Sequence, residues 1–197
     1  MTGSRRVSQA ISEGDGISLL VPVTDAAQAA GAEENGADAI IAEGAAPTAL
    51  RDATSLPVLC RQGGLTPAAA VAGGADGYII SVSKVADADD LRALHRQAQQ
   101  AELEPVLSVA DEEELEIALE NVDPEIFLLS ARGVDPDEQL ESVLDLLPDV
   151  PAGKLAIAEV PSAGQESVVA LERAGVDGVI VSAADLPHLG GDEAPEV

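Results

Sequence analysis

The sequence predicts a single-domain (βα)8 barrel with minimal loops, and three observations carry that prediction. Short apolar runs alternate with helix-length segments from end to end; there are eight such runs; and a Gly-x-Asp mark recurs before the even-numbered ones. Strands this apolar, each separated by a helix, are buried on both faces and joined in parallel by right-handed crossovers. A repeat locked to the even strands suits a barrel assembled from repeated βα units, whereas an open doubly wound sheet supplies no reason for it. With 197 residues, 46% of them hydrophobic, the chain can bury one sizeable core.

In chain order, residues 1–16 read as an N-terminal extension. Strands are expected near Ile17–Val23, Asp38–Ala42, Pro57–Cys60, Gly77–Val82, Pro105–Val109, Glu125–Leu129, Leu155–Ala158 and Gly178–Val181. Pro22 fits a central strand awkwardly because it lacks a ladder donor, and it is read as marking that strand's end. The repeat runs N-G-A-D-A-I-I at 35–41, G-G-A-D-G-Y-I-I at 73–80 and A-G-V-D-G-V-I-V at 174–181, with a looser N-V-D-P-E-I-F at 121–127. Its glycine is placed to end a helix in the left-handed conformation, and its aspartate opens the next strand. Between strands, helix 111–122 carries Leu115, Ala118, Leu119 and Val122 at i, i+3, i+4 and i+7, with Asp111 and Glu114 spaced as a capping box. Leu140, Val143, Leu144 and Leu147 repeat that stripe. His95, in L-R-A-L-H-R-Q, is expected on a helix surface, and D-E-E-E at 111–114 as a solvated helix start. Few residues follow the eighth strand, so the last helix must be short or absent, and 186–197 read as a disordered tail.

A formal charge of -26, from 36 acidic against 10 basic residues, excludes electrostatic attraction to nucleic acid or to anionic lipid. Only Lys84 and Lys154 accompany eight arginines. An acid-dense, lysine-poor surface suits a concentrated-salt cytoplasm, where screening removes the repulsion; an acidic protein from a GC-rich genome is the plainer alternative. The single cysteine, Cys60, forms no internal disulfide, and His95 and His188 offer no metal-ligand spacing, so neither metal nor cofactor is expected. M-T-G-S-R-R-V-S-Q-A lacks an apolar signal core, and no apolar run approaches a membrane span. A cytoplasmic protein is expected.

From Ser55 onward the chain resembles indole-3-glycerol phosphate synthase, the tryptophan-pathway lyase built on a TIM barrel. The phrases S-L-P-V-L at 55–59, L-S-V-A-D-E-E-E-L-E-I-A-L-E at 107–120, D-L-L-P-D-V-P-A-G at 145–153 and A-G-V-D-G-V-I-V at 174–181 lie in that family's order. Before Ser55 the likeness is weak, and the family's long loop after its first strand has no room here. In such barrels the chemistry sits at the carboxyl ends of the strands. There the resemblance puts Arg61, in L-C-R-Q-G, in the place of a general-acid lysine. An arginine binds anions but cannot release a proton near neutrality. The family's strand-five glutamate falls on Ser108, and its strand-six asparagine pair on Ser130 and Ala131, with Arg132 retained. The strand-one glutamate and lysine have no counterpart among Leu20, Val21, Pro22 and Val23. After strand seven, E-S-G becomes Glu159-Val160-Pro161, which keeps the acid and loses a phosphate-cradling glycine; after strand eight, the phosphate-binding place holds Ser182 and Ala183. Tyr78 and Phe127 are expected in the core rather than against a substrate ring.

The resemblance therefore implies a barrel of this family lacking the ancestral lyase activity and binding a small phosphate or carboxylate ligand. The alternatives are an active synthase or altered sugar-phosphate enzyme, and a non-catalytic scaffold for a protein partner, either a second copy or another enzyme of the pathway. Glu159 binds a substrate hydroxyl on the first view, or is an acid held by Arg61 or Arg132 across the mouth. Glu159, Arg61 and Arg132 are expected to converge. Arg132 otherwise pairs with Asp135 or Asp137. Lys84, in I-S-V-S-K-V after strand four, is a Schiff-base amine if desolvated and a solvated loop lysine if not. Ser162, Ala163 and Gly164 offer backbone donors to a phosphate, or simply an N-cap serine.

Overall fold

The computed structural model describes residues 5–14, 16–44, 46–161 and 164–189. Eight strands, β1 (Ser18–Val23), β2 (Ala39–Ala42), β3 (Val58–Arg61), β4 (Gly77–Ser81), β5 (Glu104–Val109), β6 (Ile126–Ser130), β7 (Leu155–Glu159) and β8 (Gly178–Ile180), close in sequence order into a parallel barrel. The helices are α1 (Arg6–Ser12), α2 (Ala26–Glu34), α3 (Pro47–Arg51), α4 (Pro67–Ala72), α5 (Ala88–Gln100), α6 (Glu112–Asn121), α7 (Pro136–Leu146), α8 (Gln165–Ala174) and the four-residue α9 (Leu186–Leu189). The last helix is therefore short, as expected, and it occupies the start of the segment read as a tail; residues 190–197 lie outside those described. No helix among the described residues is long and apolar enough to cross a membrane.

Alternation along the strands sorts the apolar residues into two shells. Leu20, Ile41, Leu59, Ile79, Leu128 and Ile157 point inward and fill the barrel. Their neighbours, among them Val21, Ile40, Tyr78, Ile80, Leu107 and Phe127, meet the helices outside. Tyr78 and Phe127 thus belong to the core, where the Tyr78 hydroxyl donates to Leu65 O at 2.6 Å.

The helix α1, in the segment expected as a mere extension, closes the amino-terminal end of the barrel. Its Val7 and Ile11 are buried in the inner shell. Gly77 is what makes room, since a Cβ there would lie 3.1 Å from Val7 Cγ2 and 3.2 Å from Leu59 Cγ. Arg5 at the N-cap supplies no side-chain acceptor. Glu104, from the start of β5, takes that part: its carboxylate accepts the amides of Val7 at 2.6 Å and Ser8 at 3.0 Å.

The Gly-x-Asp repeat has one geometry at each full occurrence. Gly36, Gly74 and Gly175 adopt φ of 86°, 87° and 94°. Each following aspartate clasps the residue opposite it on the preceding strand twice. Asp38 N donates to Leu19 O while its carboxylate accepts Leu19 N at 2.8 Å; Asp76 does the same with Val58 at 2.9 Å, and Asp177 with Ala156 at 2.8 Å. The looser sixth-strand version lacks the clasp for a covalent reason. By register the aligned pair is Pro105 and Glu125, one step before Val106↔Ile126, and a proline has no N–H to give.

Pro22 stays inside β1. Ser18 N donates to Asp177 O on the β8 side, so Pro22, four residues on, faces the same way, beyond the last β1–β8 pair Leu20↔Ile180. No ladder bond is lost.

Two expectations on the helices need correction. His95 is not a surface residue: it is 7% exposed, because Leu91, His95 and Ala98 form the inward stripe of α5. Its Nε2 has no partner among the described residues, and burial lowers its pKa, with Asp123 opposing. Leu119, placed on the buried stripe of α6, is 38% exposed; Leu115 and Ala118 alone are fully covered. The capping arrangement at α6 is present, with Asp111 accepting Glu114 N and Glu114 reaching back to Ala110 N, both at 2.9 Å.

Candidate functional site

The inward positions that end the strands form the mouth of the barrel. Counting by two from the inner-shell residues Leu59, Ile79, Val106, Leu128 and Ile157 gives Arg61, Ser81, Ser108, Ser130 and Glu159. Four of these were expected at a site. Ser81 was not, although the same count along I-I-S finds it.

Four of these side chains, those of Arg61, Glu159, Ser130 and Ser108, form one polar chain across the opening. Arg61 grips Glu159 with both ends of its guanidinium, Nη2 to Oε1 and Nη1 to Oε2, the latter at 3.4 Å. The Ser130 hydroxyl donates to Glu159 Oε2 at 3.1 Å, and Ser108 Oγ lies 2.9 Å from Ser130 Oγ. On the other flank Glu43 Oε1 stands 3.7 Å from Arg61 Nε. Both partners of the central pair keep 27% of their side-chain surface, so the pair is half-buried and still wetted. Glu43 was missed in the sequence; it follows β2 directly in I-I-A-E-G, where any polar residue faces the rim.

The expected convergence of Arg132 fails. Arg132 lies two residues beyond β6, and its guanidinium turns outward to the acidic first turn of α6, Nη2 standing 2.9 Å from Asp111 and 3.1 Å from Glu114. Asp135 is unavailable to it because that carboxylate caps α7 through Glu138 N. Lys84 ends a 3-10 turn (Val82–Lys84) after β4 and is exposed, without the desolvation that activates an amine nucleophile. Ser182 and Ala183 are exposed as well; the Ser182 hydroxyl is spent on Asp185, 2.5 Å away. Gly164 is the N-cap of α8, while Ser162 and Ala163 lie outside the described residues. Among the described residues no group of three or more His, Cys, Asp or Glu side chains is placed to share a metal ion.

Beside the polar chain lies a cleft of about 300 Å³ lined by Ala42, Gly44, Ala46, Cys60, Arg61, Gly64 and Leu65. Arg61 joins the two. Burial pushes the Cys60 thiol up to about 11, which keeps it protonated and unreactive.

A closed parallel barrel with its last inward side chains polar is a (βα)8 barrel of the TIM type. Residues 48–186 match the family model described as indole-3-glycerol phosphate synthase, and the chain belongs to that family. Among solved structures, a candidate phosphonomutase from Burkholderia cenocepacia is similar in fold, with a TM-score of 0.64 and 18% identity over 88% of this chain and 89% of that one. No curated protein matches the sequence.

Proposed function

We propose that this barrel no longer performs the family's lyase reaction and instead binds a small molecule through a carboxylate or phosphate group at its mouth. The observation that supports this is the closed pairing of Arg61 with Glu159. Ring closure and decarboxylation of an anilino sugar phosphate require a proton donor, a base and a phosphate clamp. In the lysine's place stands an arginine, Arg61, a residue type that binds anions but does not serve as a general acid. Ser108, in the glutamate's place, ends a hydroxyl chain, and among the described residues no histidine or carboxylate is bonded to it to make it a base. The remaining acid is engaged by arginine.

The test is an assay in concentrated KCl with the anilino deoxyribulose phosphate substrate. No indole-3-glycerol phosphate should form above background. Positioned acid–base groups contribute roughly a hundredfold to ten-thousandfold each, so losing two removes most of the acceleration. Arg61→Lys combined with Ser108→Glu should recover little, because the strand-one groups and the phosphate-cradling glycine are still missing. Turnover in the unmodified protein that Glu159→Gln abolishes would refute the proposal.

A further inference from the structure

The ligand reading leaves the chemistry of the ligand open, and the charges around Arg61 narrow it. Arg61 carries five N–H donors. Glu159 engages one on each terminal nitrogen, and Glu43, at 3.7 Å from Nε, is beyond hydrogen-bond range. Donors therefore remain on a guanidinium that forms part of the cleft wall. They suit a carboxylate. Yet one cation stands here against two carboxylates, in a chain of charge -26, so a purely anionic ligand adds a third negative charge to a site already negative. A purely cationic ligand could meet Glu43 but would face the guanidinium and leave its donors unused. Glu43 itself accepts no hydrogen bond from the described residues and keeps 47% of its side-chain surface.

We infer that the ligand is a small zwitterion of the amino-acid type, its carboxylate on Arg61, which lines the cleft, its ammonium on Glu43, which stands beside Arg61 on the adjoining rim outside the cleft lining, and its side chain in the cleft between the ends of β2 and β3. This deepens the proposed function and rests on it. The alternation of Glu43, Arg61 and Glu159 matches a ligand of alternating charge and leaves the net charge of the site unchanged on binding. The remaining wall sets the size and polarity of the side chain. Ala42, Ala46, Cys60 and Leu65 are small or aliphatic, and a Cβ added at Gly44 or Gly64 would meet nothing within 4 Å, so both glycines border open space. A short aliphatic side chain fits a cleft of about 300 Å³.

Isothermal titration calorimetry in molar KCl near neutral pH tests this with L-valine, N-acetyl-L-valine and L-valinamide, which present both charges, the anion alone and the cation alone. Valine should bind at least about tenfold more tightly than either analogue, as loss of one charge-assisted contact implies. Glu43→Gln should weaken valine and strengthen N-acetylvaline, a reversal that general damage to the fold does not produce. Arg61→Gln, checked for folding by circular dichroism, should weaken valine by a similar factor. Preferential binding of N-acetylvaline to the unmodified protein overturns the zwitterion while leaving an anion-binding barrel intact. Failure of glycine, L-alanine, L-valine and L-leucine alike to bind at millimolar concentration also overturns it. Failure of the proposed function shows separately, as lyase product.

Discussion

Replacing a clasp aspartate by asparagine should have unequal consequences at two places in the same repeat. Asparagine keeps an oxygen for the strand amide, so the clasp can survive and the difference lies in the charge. Asp76, whose side chain is 10% exposed, also meets Arg51 at 2.9 Å and Arg6 at 3.0 Å. Asp76→Asn leaves both guanidiniums without their carboxylate and turns an amide N–H toward them. Breaking a buried pair costs about 3–5 kcal/mol; with Arg6 and Arg51 partly exposed, roughly 2–4 kcal/mol is the fair expectation. At about 2–4 °C per kcal/mol for a chain of this size, the melting temperature should fall by roughly 4–16 °C. Among the described residues the Asp38 carboxylate has only the Leu19 amide as partner, and burial raises its pKa against that hydrogen bond. An acid whose folded pKa is raised holds its proton more tightly when folded, so its contribution to stability is lost as pH rises through that value. Asp38→Asn removes this penalty and should shift stability by no more than about 1 kcal/mol, in either direction. Thermal unfolding followed by circular dichroism in molar KCl near neutral pH reads both. Equal losses at the two positions, or a larger loss at Asp38, would refute the reasoning that the arginines and not the clasp set the cost.

Two further outcomes follow from charge. The acid-dense surface predicts a melting temperature that climbs steadily from dilute buffer to molar KCl as screening relieves carboxylate repulsion, and a flat series would remove the high-salt interpretation. His95, held neutral by burial, predicts that stability is full above its ordinary value of 6.5 and declines as pH falls below it, since the unfolded chain takes up the proton first. His95→Leu should flatten that decline in a pH series of urea melts; an unchanged slope would mean that other groups cause it.

The strands were legible because apolar runs between Gly-x-Asp marks leave little choice of boundary, and each expected strand lies within a residue or so of its place. The resemblance put Arg61, Ser108, Ser130 and Glu159 at the strand ends, and the count by two along each observed strand gives the same inward positions. What lay beyond the sequence was direction after a strand ends. Arg132 is off the ladder, and its choice between Glu159 and the acids of α6 depends on a crossing distance that no local pattern encodes. The floor was hidden for the same reason: R-V-S-Q-A-I-S is a short, weak helix signal, and only the gap above Gly77 and the carboxylate of Glu104 show that it belongs inside.

The clasps divide the barrel into building blocks. Each joins two successive strands, β1 to β2, β3 to β4 and β7 to β8, so a chain cut in the loop between β4 and β5 leaves every clasp whole within one fragment. Reassembly of the halves then draws on the β4–β5 and β8–β1 ladders, on the floor, where Glu104 receives α1 and Glu125 pairs with Arg5, and on the Arg61–Glu159 pair at the mouth. In such a split protein, each end of the barrel carries a charged contact by which one half recognises the other: Arg5 with Glu125 at the floor, Arg61 with Glu159 at the mouth.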